Sequence, residues 1–96
     1  MAAYMIVVDS EVHDREQADS LSLRIAELIE ARGGKYLIRG TPTLSLGPGA
    51  PPASITVSEF ETLEDLKAAF GQDDVIKLRL ERRASVESVA FMVEGL

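Results

Sequence analysis

All four prolines of the chain lie within residues 40–53, together with three of its seven glycines, and this cluster is the strongest constraint on the fold. Proline lacks a backbone N–H and clashes with the preceding helical turn, so the segment cannot be a helix. Residues 43–46 alternate polar and apolar side chains, which predicts a short edge strand before a glycine-proline-glycine turn. The other regular elements must therefore come from the residues before and after this segment.

Four further segments have the composition of strands. Residues 4–8 form an unbroken β-branched and aromatic run that continues, alternating, to residue 12. Residues 35–39, 55–60 and 86–94 are similarly rich in β-branched and aromatic side chains. Such runs predict strands, and several of these are apolar on both faces.

Helical periodicity fills the gaps between these strands. Asp14 is placed to cap a first helix that ends at the glycine pair 33–34, because glycine adopts the left-handed C-terminal conformation easily. Thr62 is placed to cap a second helix, which Gly71 interrupts. The aspartate pair at 73–74 is then expected to cap a further helical piece before the last strand.

The order β-α-β-(β)-β-α-β predicts an α+β fold of the ferredoxin-like, split βαβ type, with one domain over residues 1–96 and an antiparallel sheet. Two helices cover only one face of such a sheet, although the strands are apolar on both. The other face needs a cover, and a second copy of the chain is the simplest one. We therefore expect a homodimer.

Composition excludes several classes of function. Sixteen acidic and ten basic residues give a net charge of −6, which disfavours nucleic acid and anionic membrane surfaces as partners. The densest basic stretch, residues 77–83, is interpreted as the solvated face of a helix. The chain has no cysteine, which excludes thiol catalysis and cysteine-ligated metals. No signal peptide or membrane span is evident, so a cytoplasmic protein is expected.

Several segments together resemble a known family. They are Gly-Gly-Lys-Tyr-Leu-Ile-Arg-Gly at residues 33–40, Glu-Phe at 59–60, Leu-Arg-Leu-Glu-Arg at 78–82 and Val-Glu-Gly at 93–95. In this combination the chain is similar to the uncharacterised DUF1330 domains over nearly its whole length. The resemblance implies a dimeric α+β barrel, in which two ferredoxin-like sheets close on each other around a pocket.

The chain departs from this family at positions where its members usually carry aromatic residues or proline. The residues found there are Arg15, Ala18, Leu21, Ala50, Asp73 and Val75. Much of the family's aromatic lining is thus absent. If those aromatics hold a ligand in other members, this chain binds something different, binds weakly, or has lost the function.

The best candidate site combines Asp9, Arg39 and Glu59. In a ferredoxin-like sheet the third strand lies between the first and second, so these three side chains are expected to converge on one face. An arginine between two carboxylates could hold an anionic ligand or raise the proton affinity of one acid. A cross-strand ion pair without function explains the same residues, and the sequence favours that explanation.

Two further groups of residues are candidate binding sites. Tyr4 and Tyr36 could line a ligand pocket or serve as core residues with a bonded hydroxyl. Asp9, Glu11 and His13 alternate along the first strand in a pattern that a metal could use, but a solvated strand end is the favoured interpretation. The sequence thus predicts no metal site and no cofactor.

Three hypotheses of function follow. The first is a homodimer of unknown role that binds a small ligand in a pocket between the sheet and its partner. The second is a cofactor-independent monooxygenase or isomerase, an analogy that rests on the implied fold alone. The third is an accessory domain that contacts another protein through residues 41–53. The sequence does not decide whether the chain is an enzyme.

Overall fold

The computed structural model describes all residues, 1–96, as one antiparallel sheet of four strands with three helices. The elements in chain order are β1 (Ala3–Val12), α1 (Arg15–Ala31), β2 (Lys35–Gly40), β3 (Ser54–Phe60), α2 (Leu63–Phe70), α3 (Asp73–Arg82) and β4 (Val86–Glu94). The strands lie in the order β2-β3-β1-β4. The predicted ferredoxin-like α+β arrangement, with the third strand between the first and second, is confirmed. No helix combines the length and hydropathy that crossing a membrane requires.

The first helix begins and ends as its sequence predicts, with one difference. The Asp14 side chain accepts a hydrogen bond of 3.1 Å from the backbone N–H of Gln17, which satisfies one free donor of the first turn. In a capping box the side chain of Gln17 would accept a hydrogen bond from the N–H of Asp14, but this N–H donates to the Ser85 carbonyl in the segment before β4. At the other end, Gly33 takes the expected positive φ, 93°.

Two predictions of local structure are wrong. Residues 43–46 form no strand, and Leu44 and Leu46 remain 79% and 90% exposed. A strand needs a neighbouring strand to bind its backbone N–H and carbonyl groups, and these residues have none. The chain then turns at Gly47 and Gly49, both of which have a positive φ. The helix after Gly71 is preceded by Gln72 as its N-cap, without a side-chain cap bond, and the aspartate pair 73–74 lies in the first turn. There the carboxylates face the positive end of the helix dipole.

The hydrophobic core lies between one face of the sheet and the helices. Its fully buried side chains include Phe60 from β3, Ile29 from α1, Leu66 from α2 and Val75 from α3. The rings of Phe60 and Phe70 meet edge to face at 6.1 Å. Full burial of one such side chain stabilises the fold by about 1.5–3 kcal/mol, so these contacts hold the three helices against the sheet.

The strand register assigns each side chain to one face of the sheet. Directly paired residues point to the same side, and successive residues to opposite sides. One row runs across all four strands beneath the helices, and its members are Arg39, Thr56, Val7 and Ala90. The adjacent row points away from the helices, and its members are Ile38, Val57, Ile6 and Phe91. We call the side without helices the open face.

Candidate functional site

A cavity of about 680 Å³ lies between the helix-covered side of the sheet and helices α1 and α3. The sheet supplies its floor, including the four-strand row that runs from Arg39 to Ala90. Binding sites for small molecules commonly enclose about 300–1,000 Å³, so this space could hold a small organic molecule. The sequence predicted a pocket between the sheet and a partner. The cavity of the single chain lies on the other side of the sheet.

The floor of this cavity is polar where a protein core would ordinarily be apolar. Along β3, Ser54, Thr56 and Ser58 point toward the helices, whereas Ile55 and Val57 point to the open face. A sheet with one helix-covered face normally places its apolar residues on that covered side. The polarity of β3 is therefore reversed around the cavity. A hydroxyl can both donate and accept a hydrogen bond, and the Ser54 hydroxyl donates to Asp9.

A buried ion pair forms one end of the cavity. The two terminal nitrogens of Arg82 donate to the two carboxylate oxygens of Asp9 at 3.2 and 2.8 Å, and the Ser54 hydroxyl donates to Asp9 Oδ2 at 2.8 Å. Burial by itself would raise the pKa of Asp9, but the hydrogen bonds from Arg82 and Ser54 outweigh it and lower the pKa. Arg82 Nε also donates to the Ala18 carbonyl, so this pair joins β1, α1 and α3.

A stacked pair from β2 forms another part of the wall. The Arg39 guanidinium lies over the Tyr36 ring, 4.5 Å from its centroid, in a cation–π contact. Burial is the main cause that raises the pKa of Tyr36, while the charge of Arg39 acts in the opposite direction. Tyr36 thus keeps its proton at neutral pH and can offer a hydroxyl to a ligand.

Two more arginines reach the cavity from α3. The Arg79 guanidinium lies 5.7 Å from the centroid of the Phe70 ring, and Arg83 follows one helical turn later. Partial burial of the guanidinium and then the charge of Arg83 lower the pKa of Arg79. Both arginines line the cavity, and neither forms a salt bridge.

The predicted constellation of Asp9, Arg39 and Glu59 does not form. Asp9 pairs in register with Ser54 and Glu59 pairs with Tyr4, five positions apart on β1, so the two carboxylates point to opposite faces. Asp9 binds Arg82 rather than Arg39. Three of the five predicted site residues nevertheless line the cavity, namely Asp9, Arg39 and Tyr36.

The other two predicted residues contact each other on the open face. The Tyr4 hydroxyl donates to Glu59 Oε2 at 3.0 Å. This hydrogen bond, and the charge of Glu59, raise the pKa of Tyr4. The pair lies on the side of the sheet away from the cavity.

The alternating pattern of Asp9, Glu11 and His13 does not gather at one point. A register shift between Asp9 and Glu11 separates the first residue from the other two. Glu11 and His13 instead lie near Glu87, with their potential ligand atoms within 4.8 Å of one another, and all three residues are exposed. No buried group orients this cluster, so the geometry assigns no metal to it.

The family of this chain follows from a match along its sequence. The profile of a family described as domain of unknown function (DUF1330) matches residues 2–96. The chain belongs to the DUF1330 family. No curated protein matches this DUF1330 chain significantly.

Several solved structures share the fold of this DUF1330 chain. A protein of unknown function from Rhodopseudomonas palustris aligns with a TM-score of 0.78 and 13% identity, covering 99% of this chain and 82% of that one. SnoaB, a cofactor-independent oxygenase from Streptomyces nogalater, aligns with a TM-score of 0.68 and 14% identity, covering 99% and 92%. A dimeric ferredoxin-like protein of unknown function from Thermobifida fusca aligns with a TM-score of 0.66 and 15% identity, covering 97% and 90%. At these identities the likeness concerns the fold.

Sequence reasoning missed most of the polar residues that line the cavity of the DUF1330 chain. The interpretation of residues 77–83 as a solvated helix face agrees with the exposure of Lys77, Arg79 and Arg83, whereas Arg82 is half-buried. That interpretation did not reveal that Arg79, Arg82 and Arg83 also line the cavity. The hydroxyls of β3 were not singled out. Polar and apolar residues alternate strictly from Ser54 to Ser58. This alternation identifies the cavity residues only when the pairing of Thr56 with Val7 shows which face of β3 the helices cover.

Proposed function

We propose that this DUF1330 chain binds a small organic molecule in the cavity between its sheet and helices α1 and α3. The observation that carries this proposal is the reversed polarity of β3, whose hydroxyls face a cavity of about 680 Å³ instead of a packed core. A ligand in this space could hydrogen-bond to the hydroxyls of the lining and cover its apolar side chains.

We also propose that the chain works as a homodimer in which two open faces meet. Across all four strands the row formed by Ile38, Val57, Ile6 and Phe91 is aliphatic or aromatic. In the single chain, Ile38 is 55% exposed and Phe91 is 52% exposed. A contiguous apolar patch of this kind marks an interaction surface, and a two-fold pair buries the same patch on both copies. The fold likeness to a dimeric ferredoxin-like protein supports the same arrangement.

Native mass spectrometry of protein freshly purified from cells tests the ligand proposal. We expect a species that carries extra mass from a retained small molecule. The matched variant is Ala90→Phe, which adds a ring from the cavity floor and should remove that mass while leaving the subunit count unchanged. A retained molecule that persists in the double variant Ala90→Phe/Ser22→Phe, which narrows the cavity from both the sheet and α1, would lie outside the cavity and contradict the proposal.

Light scattering with size-exclusion chromatography tests the dimer. Phe91→Glu places a charge within the apolar row of the open face, on the edge strand β4, and should yield a monomer. Leu23→Glu is the matched control, because Leu23 is 58% exposed on α1, which lies on the other side of the sheet, and the variant should remain a dimer. Wild-type protein that is monomeric at micromolar concentration would refute this part of the proposal.

A cofactor-independent oxygenase is the second candidate, favoured by the fold likeness to SnoaB. The protonation states in the cavity support binding more than acid–base catalysis. The pKa of Asp9 is lowered and that of Tyr36 is raised, so neither group changes its protonation near neutral pH. Oxygen consumption with phenolic test substrates, lost in Ala90→Phe but retained in Leu23→Glu, would favour the enzyme.

A further inference from the structure

The charge of the cavity is opposite to that of the chain. The chain carries 16 acidic and 10 basic residues, for a net charge of −6. Five arginines line the cavity, against two aspartates. These arginines are Arg15, Arg39, Arg79, Arg82 and Arg83. Half of the basic residues of an acidic protein therefore line one space, where they outnumber the acidic residues. Arg82 is half-buried and the other four arginines are exposed.

Most of these arginines have no carboxylate partner. The only salt bridge in the structure joins Arg82 to Asp9, and it leaves the second aspartate, Asp19 on α1, as the one other acid at the cavity. The guanidinium groups of Arg39 and Arg79 contact aromatic rings instead. An arginine that is held against a ring keeps its N–H donors available for a carboxylate or a similar anion.

Two of the arginines lie close enough on one helix face to repel each other. Arg79 and Arg83 are four residues apart on one face at the end of α3, and like charges at this spacing destabilise a helix. Partial burial is the larger cause of the lowered pKa of Arg79, and the charge of Arg83 adds to it. An anion bound between them would reverse the sign of this interaction.

Part of the cavity wall is apolar. Ile25 from α1, Phe70 from α2 and Ile76 and Leu80 from α3 line the same cavity. Ile25 and Phe70 are buried members of the core, while Ile76 and Leu80 stay exposed on the cavity side of α3. A ligand that satisfied only the arginines would leave this surface in contact with water.

We infer that the cavity binds a small organic anion, whose carboxylate or similar group contacts the unpaired arginines and whose apolar part lies against Phe70 and the aliphatic side chains. This inference rests on the proposed ligand-binding function and names the chemical class of its ligand. The anionic end is recognised by hydrogen bonds and charge together, and the apolar end by burial.

Two fluorescent probes that differ in one group provide the test. Anilinonaphthalene sulfonate and N-phenylnaphthylamine share the same aromatic body, but only the first carries an anionic group. We expect the wild type to bind the sulfonate about tenfold more tightly at low salt, because a charge-assisted hydrogen bond contributes roughly that factor or more. Salt of about 1 M should reduce this preference, since the Debye length falls to about 3 Å, and should leave the neutral probe unaffected.

Variants on one helix locate the effect. Arg79→Gln and Arg83→Gln should each weaken sulfonate binding about tenfold and leave the neutral probe unchanged. Lys77→Gln removes the same charge from α3 outside the cavity lining and serves as the matched control. Ala90→Phe should abolish binding of both probes, and Ser22→Phe, which fills the cavity from α1, repeats this test if the first variant fails to fold.

The outcomes separate this inference from the function on which it rests. Equal affinity of the two probes in the wild type, or equal losses for both probes in the arginine variants, would overturn the anion assignment and leave ligand binding intact. Probe binding that survives both cavity-filling variants, or no binding of either probe to the wild type, would overturn the proposed function itself. A sulfonate preference that Lys77→Gln removes as fully as Arg79→Gln would also overturn the assignment, because net charge would then explain it.

Discussion

Removal of Arg82 should destabilise the fold more than any other single loss of charge. In Arg82→Met the aliphatic part of the side chain is kept, but Asp9, which is only 4% exposed, loses its partner. Breaking a buried pair by removing one member costs about 3–5 kcal/mol, because the remaining charge stays desolvated. The Ser54 hydroxyl still donates to Asp9, so we expect the lower part of that range. Total stability of a chain of this size is of order 5–15 kcal/mol, so the loss is large.

The dependence on pH gives this prediction its specific signature. In the wild type the pKa of Asp9 is lowered, so its stabilising contribution is present above the unfolded value of about 3.9 and is lost as the pH falls through the lower folded value. In Arg82→Met the dominant remaining influence is burial, which raises the pKa of Asp9. The variant should therefore recover stability relative to wild type as the pH falls from 7 toward 4 and Asp9 becomes neutral.

Urea denaturation at pH 7 and pH 4 measures both effects. The double variant Asp9→Asn/Arg82→Met should be more stable at pH 7 than Arg82→Met alone, because it removes the stranded charge. A loss below about 0.5 kcal/mol for Arg82→Met, typical of a surface substitution, would refute the buried ion pair. A loss that is the same at both pH values would refute the role assigned to Asp9.

The remaining predictions concern single features of the fold. Gly34→Ala should destabilise by about 1–3 kcal/mol in thermal unfolding, because the added Cβ would lie 2.5 Å from Ile29 Cγ2; an unchanged melting temperature would contradict this close packing. Asp14→Ala should cost about 1 kcal/mol through loss of the helix cap, seen as a melting temperature lower by roughly 4–8 °C, whereas Asp14→Ser should retain most of the stability. Absorbance titration should place the pKa of Tyr36 above its usual 10.0, and Arg39→Gln should raise it further; an unchanged pKa in Arg39→Gln would show that the stacked guanidinium does not act on this ring.

The fold was predictable because its signals are local and repeated. β4 has the predicted bounds, Val86–Glu94, since a long β-branched and aromatic run has few alternatives. The side chains of Asp14 and Thr62 cap their helices as their sequence positions predict. The strand expected at residues 43–46 failed because alternation alone does not supply a neighbouring strand.

The candidate site was less predictable because it depends on register. Asp9, Arg39 and Glu59 were placed on one face, but the pairing of β1 with β3 puts an odd number of positions between the two carboxylates. No pattern in the sequence specifies that number. The partnership of Asp9 with Arg82 spans 73 residues and joins a strand to a helix end, which periodicity cannot reveal.

The reversed polarity of β3 separates the proposed ligand cavity on one face of the sheet from the proposed dimer surface on the other. Residues at even positions of the strand, Ser54, Thr56 and Ser58, are committed to the cavity, and those at odd positions, Ile55 and Val57, are committed to the surface proposed for a second copy. Because neighbouring side chains of β3 point to opposite faces, a mutation in the proposed ligand site need not disturb the proposed dimer surface, and the reverse holds as well. Substitutions at the even positions of β3 could thus change the ligand that such a domain recognises, while the odd positions keep its dimer surface.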